Sequence, residues 1–180
     1  EEYAHRYDGD VVPACVDCHP DVAGGADGVM QHTMHQDKVA CQVCHSVGPY
    51  KNCYGCHVGT DEDGLPYRQL EPSELDFKIG LNPLQSEERP WNYVLLRHVP
   101  VNQDIFADYG EDLLPDFDAE PTWKYTTPHN IQRITPQNTE CNNCHGNPDL
   151  FLMEDDVRPE ELEANQSVIV PEPPPAMGSQ

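Results

Sequence analysis

One short pattern, Cys-x-x-Cys-His, occurs four times in this chain of 180 residues. The four copies use all eight cysteines and four of the nine histidines. Cys-x-x-Cys-His is the attachment signature of c-type haem, in which two thiols bond covalently to the vinyl groups and the adjoining histidine is the proximal ligand of the iron. The copies span residues 15–19, 41–45, 53–57 and 141–145.

The pattern therefore predicts four covalently bound haem c groups. The attaching thiols are those of Cys15, Cys18, Cys41, Cys44, Cys53, Cys56, Cys141 and Cys144. The proximal ligands are His19, His45, His57 and His145. Only seven residues separate His45 from Cys53, a link that spans at most about 25 Å, so we expect the second and third haems to be neighbours.

Two other uses of paired cysteines explain less of the pattern. Eight thiolates could hold two zinc ions, but zinc does not require a histidine directly after every pair. A disulfide framework also needs an even number of cysteines, yet pairs separated by two residues are poorly placed to join distant segments. Neither alternative accounts for the four histidines, and we favour haem over both.

The chain is strongly acidic, with 32 acidic and 10 basic side chains and a formal net charge of −22. Nucleic acid is excluded as a partner because phosphate binding requires a basic surface. An acidic surface suits solubility, a saline habitat or docking to basic partners.

Haem is attached covalently outside the cytoplasmic membrane, so we expect an exported protein whose signal peptide has been removed. No run of 18 apolar residues is present, since the apolar stretch 93–96 is followed at once by Arg97 and His98. We therefore expect no transmembrane segment, and a location that is extracellular or at the cell surface, or periplasmic if the protein is a monomeric shuttle.

At 37% hydrophobic residues and 18 prolines, the polypeptide alone is poor at building a core. We predict one domain over residues 1–180, mostly irregular with short α-helices and little β, in which the haems form the core. It divides into a three-haem segment (1–60), a proline-rich wrapping segment (61–140), and the fourth motif with an extended tail (141–180). Within it, residues 91–96 are apolar enough to form a strand or to line a haem pocket, and we predict a strand at 168–170 and a short helix over 158–164.

Five further histidines are available as distal ligands for the four irons. Three residues apart, His32 and His35 could share a helical face or point different ways, each serving a different haem. His98 and His129 lie in segments without another obvious purpose, and we predict both as distal ligands. His5 is the least committed of the five, and with enough histidines present we assign no methionine as a ligand.

The stretch from His32 to His45 reads His-x-x-His-x-x-x-Val-x-Cys-x-x-Cys-His. It resembles the class III cytochrome c family, in which the gap before the first cysteine is usually slightly shorter. The resemblance implies that both His32 and His35 are distal ligands.

The layout of the whole chain also resembles the extracellular tetrahaem cytochromes that polymerise into nanowires, the OmcE-like family. Three motifs come early and one late, and a long proline-rich insert carries isolated histidines. The resemblance implies a continuous haem chain with two histidine ligands on every iron, and one distal histidine donated by the adjacent subunit.

The leading hypothesis is thus a subunit of a self-associating extracellular filament that conducts electrons toward an external acceptor or a redox partner protein. A monomeric periplasmic or extracellular electron shuttle is the alternative. A multihaem reductase would need an open iron site, whereas histidines suffice here to fill every sixth position, so we expect no enzyme and no catalytic residues. Two imidazoles per iron and many carboxylates predict low, negative potentials.

Overall fold

The structure, a computed structural model, describes residues 14–46, 76–99, 107–116 and 119–178. The third motif, with Cys53, Cys56 and His57, lies outside these residues, as does His5. The helices are α1 (Cys15–Cys18), α2 (Met30–His35), α3 (Cys41–His45) and α4 (Leu162–Asn165), and the strands are β1 (Lys78–Leu81), β2 (Tyr93–His98) and β3 (Trp123–Tyr125). The 3-10 segments are Pro20–Gly25, Ala107–Tyr109, Pro136–Asn138, Cys141–Asn143, Pro148–Leu150, Glu154–Asp156 and Pro159–Glu161. The predicted fold, mostly irregular with short helices and little β, is confirmed.

The three strands form an antiparallel sheet in the order β1-β2-β3, with β2 in the centre. The apolar run at 91–96 is found here as the strand β2, which begins at Tyr93 and continues to His98. Val94, Leu95 and Leu96 are all buried, as expected of a central strand covered on both faces.

Two C-terminal segments pack beside β1 and complete its hydrogen bonding. The Leu152 amide donates to Ile79 O and the Val170 amide to Leu152 O, both at 2.8 Å. The Leu81 amide donates to Val168 O at 2.9 Å. The prediction of a strand at 168–170 is wrong. The amides of residues 168 and 169 donate to the Asn165 carbonyl at the end of α4, so this segment is a turn that leads into an extended stretch. The predicted helix over 158–164 is present as a 3-10 turn running into α4.

Fourteen buried apolar residues form one core, and twelve of them lie between residues 77 and 170. Burying each large side chain contributes about 1.5–3 kcal/mol. This unit, which we call the sheet body, comprises β1–β3 and residues 148–170. The polypeptide therefore supplies a core of its own, beyond the haem-built core expected from composition.

The rest of the described chain is organised differently. No residue from 14 to 39 is buried, and α1, α2 and α3 have four to six residues each, too short to be stable alone. Residues 14–46 and 130–147, which contain three of the motifs, are called the histidine region below. No helix among the described residues is long and apolar enough to cross a membrane.

The start of β2 holds the histidine region in place. The Trp91 indole Nε1 donates to Gln36 O at 3.1 Å. The Tyr93 amide donates to Lys38 O, and the Ala40 amide donates to Tyr93 O, both at 2.9 Å. Val43 of α3 is also buried in the core of the sheet body. These contacts fix the link between α2 and α3, and with it the orientation of both helices.

Candidate functional site

Each described Cys-x-x-Cys-His copy begins a helical turn at its first cysteine. The first and second copies form α1 and α3, and the fourth forms the 3-10 turn Cys141–Asn143. Residues three apart lie on the same side of a helical turn, so both thiols of a copy face one way. None of the six described cysteines is paired in a disulfide. This arrangement suits two bonds to one edge of a porphyrin.

The structure brings three of the copies together. Burial raises the pKa of the Cys41 thiol to about 11, and the thiol of Cys15 beside it adds to the shift. Burial likewise raises the pKa of Cys44 to about 11, with further contributions from Cys144 and then Cys41. Burial also raises the pKa of Cys144 above its ordinary value. The first and fourth copies thus both lie against the second, a proximity that sequence reasoning did not predict.

Two predicted distal histidines face two predicted proximal histidines. The ring centroids of His32 and His45 are 6.0 Å apart, with the planes at 44°. Those of His35 and His145 are also 6.0 Å apart, at 59°. Metal–imidazole bonds of about 2 Å on either side of one ion put the two ring centroids about 6 Å apart. The spacing therefore fits one iron between the rings of each pair.

In all four rings, Nδ1 has a protein acceptor. The Nδ1 atoms of His35, His45 and His145 lie 2.9, 3.0 and 3.1 Å from the carbonyl oxygens of residues 31, 132 and 175. A carbonyl only accepts, so Nδ1 carries the proton and the lone pair of Nε2 is free. No hydrogen bond of any of these Nε2 atoms is present within the described residues. This is the tautomer that a histidine ligand to a metal requires.

His32 differs from the other three in its acceptor. Its Nδ1 lies 2.6 Å from the carboxylate Oδ2 of Asp27. The Val29 amide, which donates to the other carboxylate oxygen, and His32 itself hold the pKa of Asp27 below its ordinary value. The ring of His32 is thus oriented by a negative charge instead of a neutral carbonyl.

Residues 130–138 wrap the second motif. The Gln132 amide donates to His45 O at 2.7 Å while Gln132 O accepts from the ring of the same histidine. At the end of α3, the Cys44 carbonyl accepts from Thr135 Oγ1 at 2.5 Å and from Asn138 Nδ2 at 3.0 Å. The free carbonyls of this short helix are thereby satisfied, and the wrapping segment leads directly into the fourth motif.

His98, predicted as a distal ligand, lies in the sheet body. Its side chain is 1% exposed, its Nε2 lies 2.8 Å from Glu161 Oε2, and its ring stacks on Trp123 at a centroid distance of 5.0 Å. Thr122 Oγ1 donates to the same carboxylate oxygen at 2.8 Å. His98 thus differs from the four paired histidines, because its Nε2 is engaged by protein. Its assignment as a ligand stays a prediction, as no bound haem tests it.

His19 and His129 are both exposed. Within the described part of the chain, neither ring lies against another histidine ring. The proximal role of His19 and the distal role of His129 therefore stay predictions, like the roles of the third motif.

Large apolar side chains are exposed on the segments that carry the paired histidines. Met30 and Met34 of α2 are 65% and 50% exposed, and Ile131 and Ile134 beside α3 are 56% and 67% exposed. At helical spacing, the two methionines lie on a different side of α2 from His32 and His35. The histidine region thus exposes apolar surface that the described chain does not cover.

Comparison with known proteins gives one family. The family described as cytochrome c554 and c-prime matches residues 2–46, about a quarter of the chain, which include the first two motifs and the pair His32 and His35. The match supports a c-type cytochrome. Such proteins carry covalently bound haem, in agreement with the motifs. No curated protein and no solved structure matches the chain.

The acceptors that orient the histidines could not be found from the sequence. Three are backbone carbonyls, which every residue possesses, and they lie up to 87 residues away along the chain. The fourth acceptor is a side chain, the carboxylate of Asp27, five residues before His32. Asp27 is, however, one of 32 acidic residues, and nothing in the sequence marks it out. Only the folded arrangement distinguishes them.

Proposed function

We propose that this chain is an electron-transfer protein that holds four covalently bound haem c groups between pairs of histidines. The observation that carries the proposal is the repeated geometry of two histidine pairs. In both, the rings are 6.0 Å apart, Nδ1 is bonded to protein, and one histidine belongs to a Cys-x-x-Cys-His copy.

The geometry supports a specific ligand assignment. His45 and His32 would hold the haem of the second motif, and His145 and His35 that of the fourth. Haem iron supplies a one-electron ferric–ferrous couple when bound. Because His32 and His35 both belong to α2, a helix of six residues, the two haems would be close neighbours. Close spacing is what electron transfer from haem to haem requires.

For the first and third motifs the proposal keeps the residues predicted from sequence. Cys15, Cys18 and His19 would hold one haem, and Cys53, Cys56 and His57 another. Their distal ligands would come from His129, His5 or a neighbouring subunit, and from His98 only if its Nε2 leaves Glu161 when haem binds.

Haem counting tests this proposal directly. We would produce the chain in a cell with an export and haem-attachment system, then measure haem per chain by the pyridine haemochrome assay and by mass spectrometry. The expected result is four haems, all low-spin in the oxidised protein. Fewer than four would remove the corresponding motif from the proposal, and a zinc-containing, haem-free protein would overturn it.

We further propose that the protein is the subunit of an extracellular filament, as in the OmcE-like family. The layout of motifs supports this, together with exposed His19 and His129, which are accessible to a neighbouring subunit. The net charge of −22 opposes self-association unless salt or tight interfaces offset the repulsion.

The alternative is a monomeric electron shuttle, and one observation favours it. Residues 171–178 pack against the fourth motif of their own chain, so this tail is held without a neighbouring subunit. Electron microscopy of the haem-loaded protein at physiological salt decides between the two. Long filaments with a regular repeat would support the conduit, and discrete particles of one subunit's size would support the shuttle.

A further inference from the structure

The C-terminal segment, residues 171–178, runs back along the fourth Cys-x-x-Cys-His copy. It follows Val170, which is fully buried and whose amide donates to Leu152 O at 2.8 Å. We call residues 171–178 the strap. It contains four prolines, which restrict the backbone to an extended conformation even before folding. Proline also has a carbonyl acceptor but no amide donor.

Three hydrogen bonds tie the strap to the motif. The Gly146 amide donates to Pro174 O at 2.8 Å. Asn142 and Met177 form a reciprocal pair, in which the Met177 amide donates to Asn142 Oδ1 at 2.8 Å and Asn142 Nδ2 donates to Met177 O at 3.1 Å. The strap is therefore attached on both sides of the predicted proximal ligand, His145.

Between these attachments the strap contacts the ligand itself. Pro175 O lies 3.1 Å from Nδ1 of His145 and accepts a hydrogen bond from it. The strap thus fixes the tautomer and the orientation of this ring.

Gly146 makes the close approach possible. Its φ is +73°, a backbone conformation that favours glycine, and a Cβ at this position would lie 2.7 Å from Cβ of Ala176. Two side chains cannot occupy that space, so residue 146 must lack a Cβ for the strap to lie where it does.

We propose that the strap sets the redox potential of the fourth haem by holding and polarising its proximal histidine. This inference rests on the proposed haem-binding function. An acceptor on Nδ1 increases the basicity of the imidazole and favours the ferric state, so releasing the strap raises the potential of that haem. Pro175 and the residues that hold its carbonyl in place are positioning residues, and the strap is part of the haem site.

The test uses four variants of the full-length, haem-loaded chain. Gly146→Ala places a methyl group against Ala176 and displaces the strap. Gly146→Ala with Ala176→Gly removes the 2.7 Å contact and leaves the added Cβ 3.2 and 3.3 Å from Cα and N of residue 176, so it restores the position of the strap in part. Asn142→Ala releases the far end of the strap without a collision. Gly24→Ala is the matched control, because Gly24 has a φ of +74° and nothing within 4 Å of a Cβ.

Potentials and amide exchange are measured for each variant. In Gly146→Ala, we expect the midpoint potential of one component of the redox titration to rise by up to about 59 mV. For one electron, this is about a tenfold change in the equilibrium constant. The other components stay in place, and the amide of residue 146 exchanges faster with solvent. The double variant returns both readouts toward the wild-type values, and Gly24→Ala moves neither.

Each outcome decides the question. A wild-type chain without haem would overturn the proposed function itself. A fully haem-loaded Gly146→Ala protein whose components all keep their potentials would overturn the strap alone. If Gly146→Ala accumulates without its fourth haem, Asn142→Ala takes its place, and unchanged potentials there would also overturn the proposal.

Discussion

His98 in the sheet body is enclosed by protein, with Nε2 on Glu161 and its ring on Trp123. In the histidine region, by contrast, four histidine rings have Nδ1 bonded to protein and Nε2 without a hydrogen bond in the described part of the chain. The same residue type thus completes a core in one region and is left open to a ligand in the other. A histidine is assigned to ligation by which of its nitrogens the fold satisfies.

Apolar surface follows the same division. In the sheet body, Leu96, Trp123 and Val168 are buried to within 1%. In the histidine region, Met30, Met34 and Ile134 are at least half exposed. The sheet body can therefore fold on its own apolar contacts, whereas the histidine region depends on an additional apolar component, which we infer to be haem.

Removal of haem should have the largest effect on this comparison. In a haem-free chain produced in the cytoplasm, we expect amides of residues 15–35, none of which is buried, to exchange freely, with a free energy of opening of about 0–1 kcal/mol. Amides of β2 should remain protected, because their core is made of side chains. Hydrogen exchange with mass spectrometry measures both regions in one sample.

The haem-loaded protein is the control for that measurement, and its histidine region should be protected. Equal protection of residues 15–35 with and without haem would show that this region folds by itself, and the division would fail. Loss of protection throughout would show instead that the sheet body depends on haem as well.

Alanine substitution of His35 and His98 sharpens the comparison residue by residue. His35→Ala removes one axial ligand, so one haem should change from low-spin to high-spin in the oxidised absorption and electron paramagnetic resonance spectra. His98→Ala should leave every haem low-spin and lower the free energy of unfolding by about 1.5–3 kcal/mol, since the buried Glu161 carboxylate loses the hydrogen bond from His98 and keeps the one from Thr122.

The opposite result for His98 is equally informative. A high-spin haem in His98→Ala would establish His98 as a distal ligand, as its position in the sequence suggested, and would mean that its contact with Glu161 changes when haem binds. Thermal unfolding of both variants, followed by circular dichroism, separates lost ligation from lost packing.

Local sequence was sufficient for some features of this molecule. Each Cys-x-x-Cys-His copy that the structure describes forms a helical turn, and the apolar run before Arg97 forms β2. Other features depend on contacts between distant segments. Nothing near His98 or His35 in the sequence distinguishes an enclosed histidine from an open one, because Glu161 is 63 residues from the first and His145 is 110 residues from the second.

The core was the main element that composition did not predict. A hydrophobic content of 37% with 18 prolines suggested that haem would provide nearly all of it. The apolar residues are, however, distributed unevenly, with most of the buried ones in β1, β2 and residues 150–170. Average composition cannot reveal such a division between a self-sufficient region and a dependent one.

A smaller effect is expected within the histidine region, at the carboxylate beside His32. Asp27→Asn replaces the negatively charged acceptor of His32 Nδ1 with a neutral one and should raise the midpoint potential of one haem. The expected rise is less than about 59 mV, a tenfold change in the one-electron equilibrium constant. Redox titration by absorbance measures the shift. Asp21→Asn, which removes one exposed charge in the same segment, is the control and should change the potentials much less.

If both variants shift the potentials equally, the effect is that of net charge and the hydrogen bond to His32 has no special influence. If neither shifts them, the ring of His32 does not ligate haem in the way proposed. Only a larger shift in Asp27→Asn supports a difference between the haems of the second and fourth motifs.

The smallest effect should come from acid, at Glu161 in the sheet body. Burial alone would raise the pKa of Glu161, but the hydrogen bonds from His98 and Thr122 and the charges of His98 and Arg158 outweigh it and lower the pKa below its ordinary value of 4.5. A carboxyl whose pKa is lower in the folded state stabilises that state above the unfolded pKa and loses this contribution as the pH falls through the folded value. The free energy of unfolding of the sheet body should therefore decline below about pH 4.5, as measured by urea unfolding between pH 6 and 3. Glu161→Gln should be less stable at pH 6 and should decline less steeply with acid, because it has no proton to take up; an equally steep decline would assign the acid sensitivity to other carboxylates.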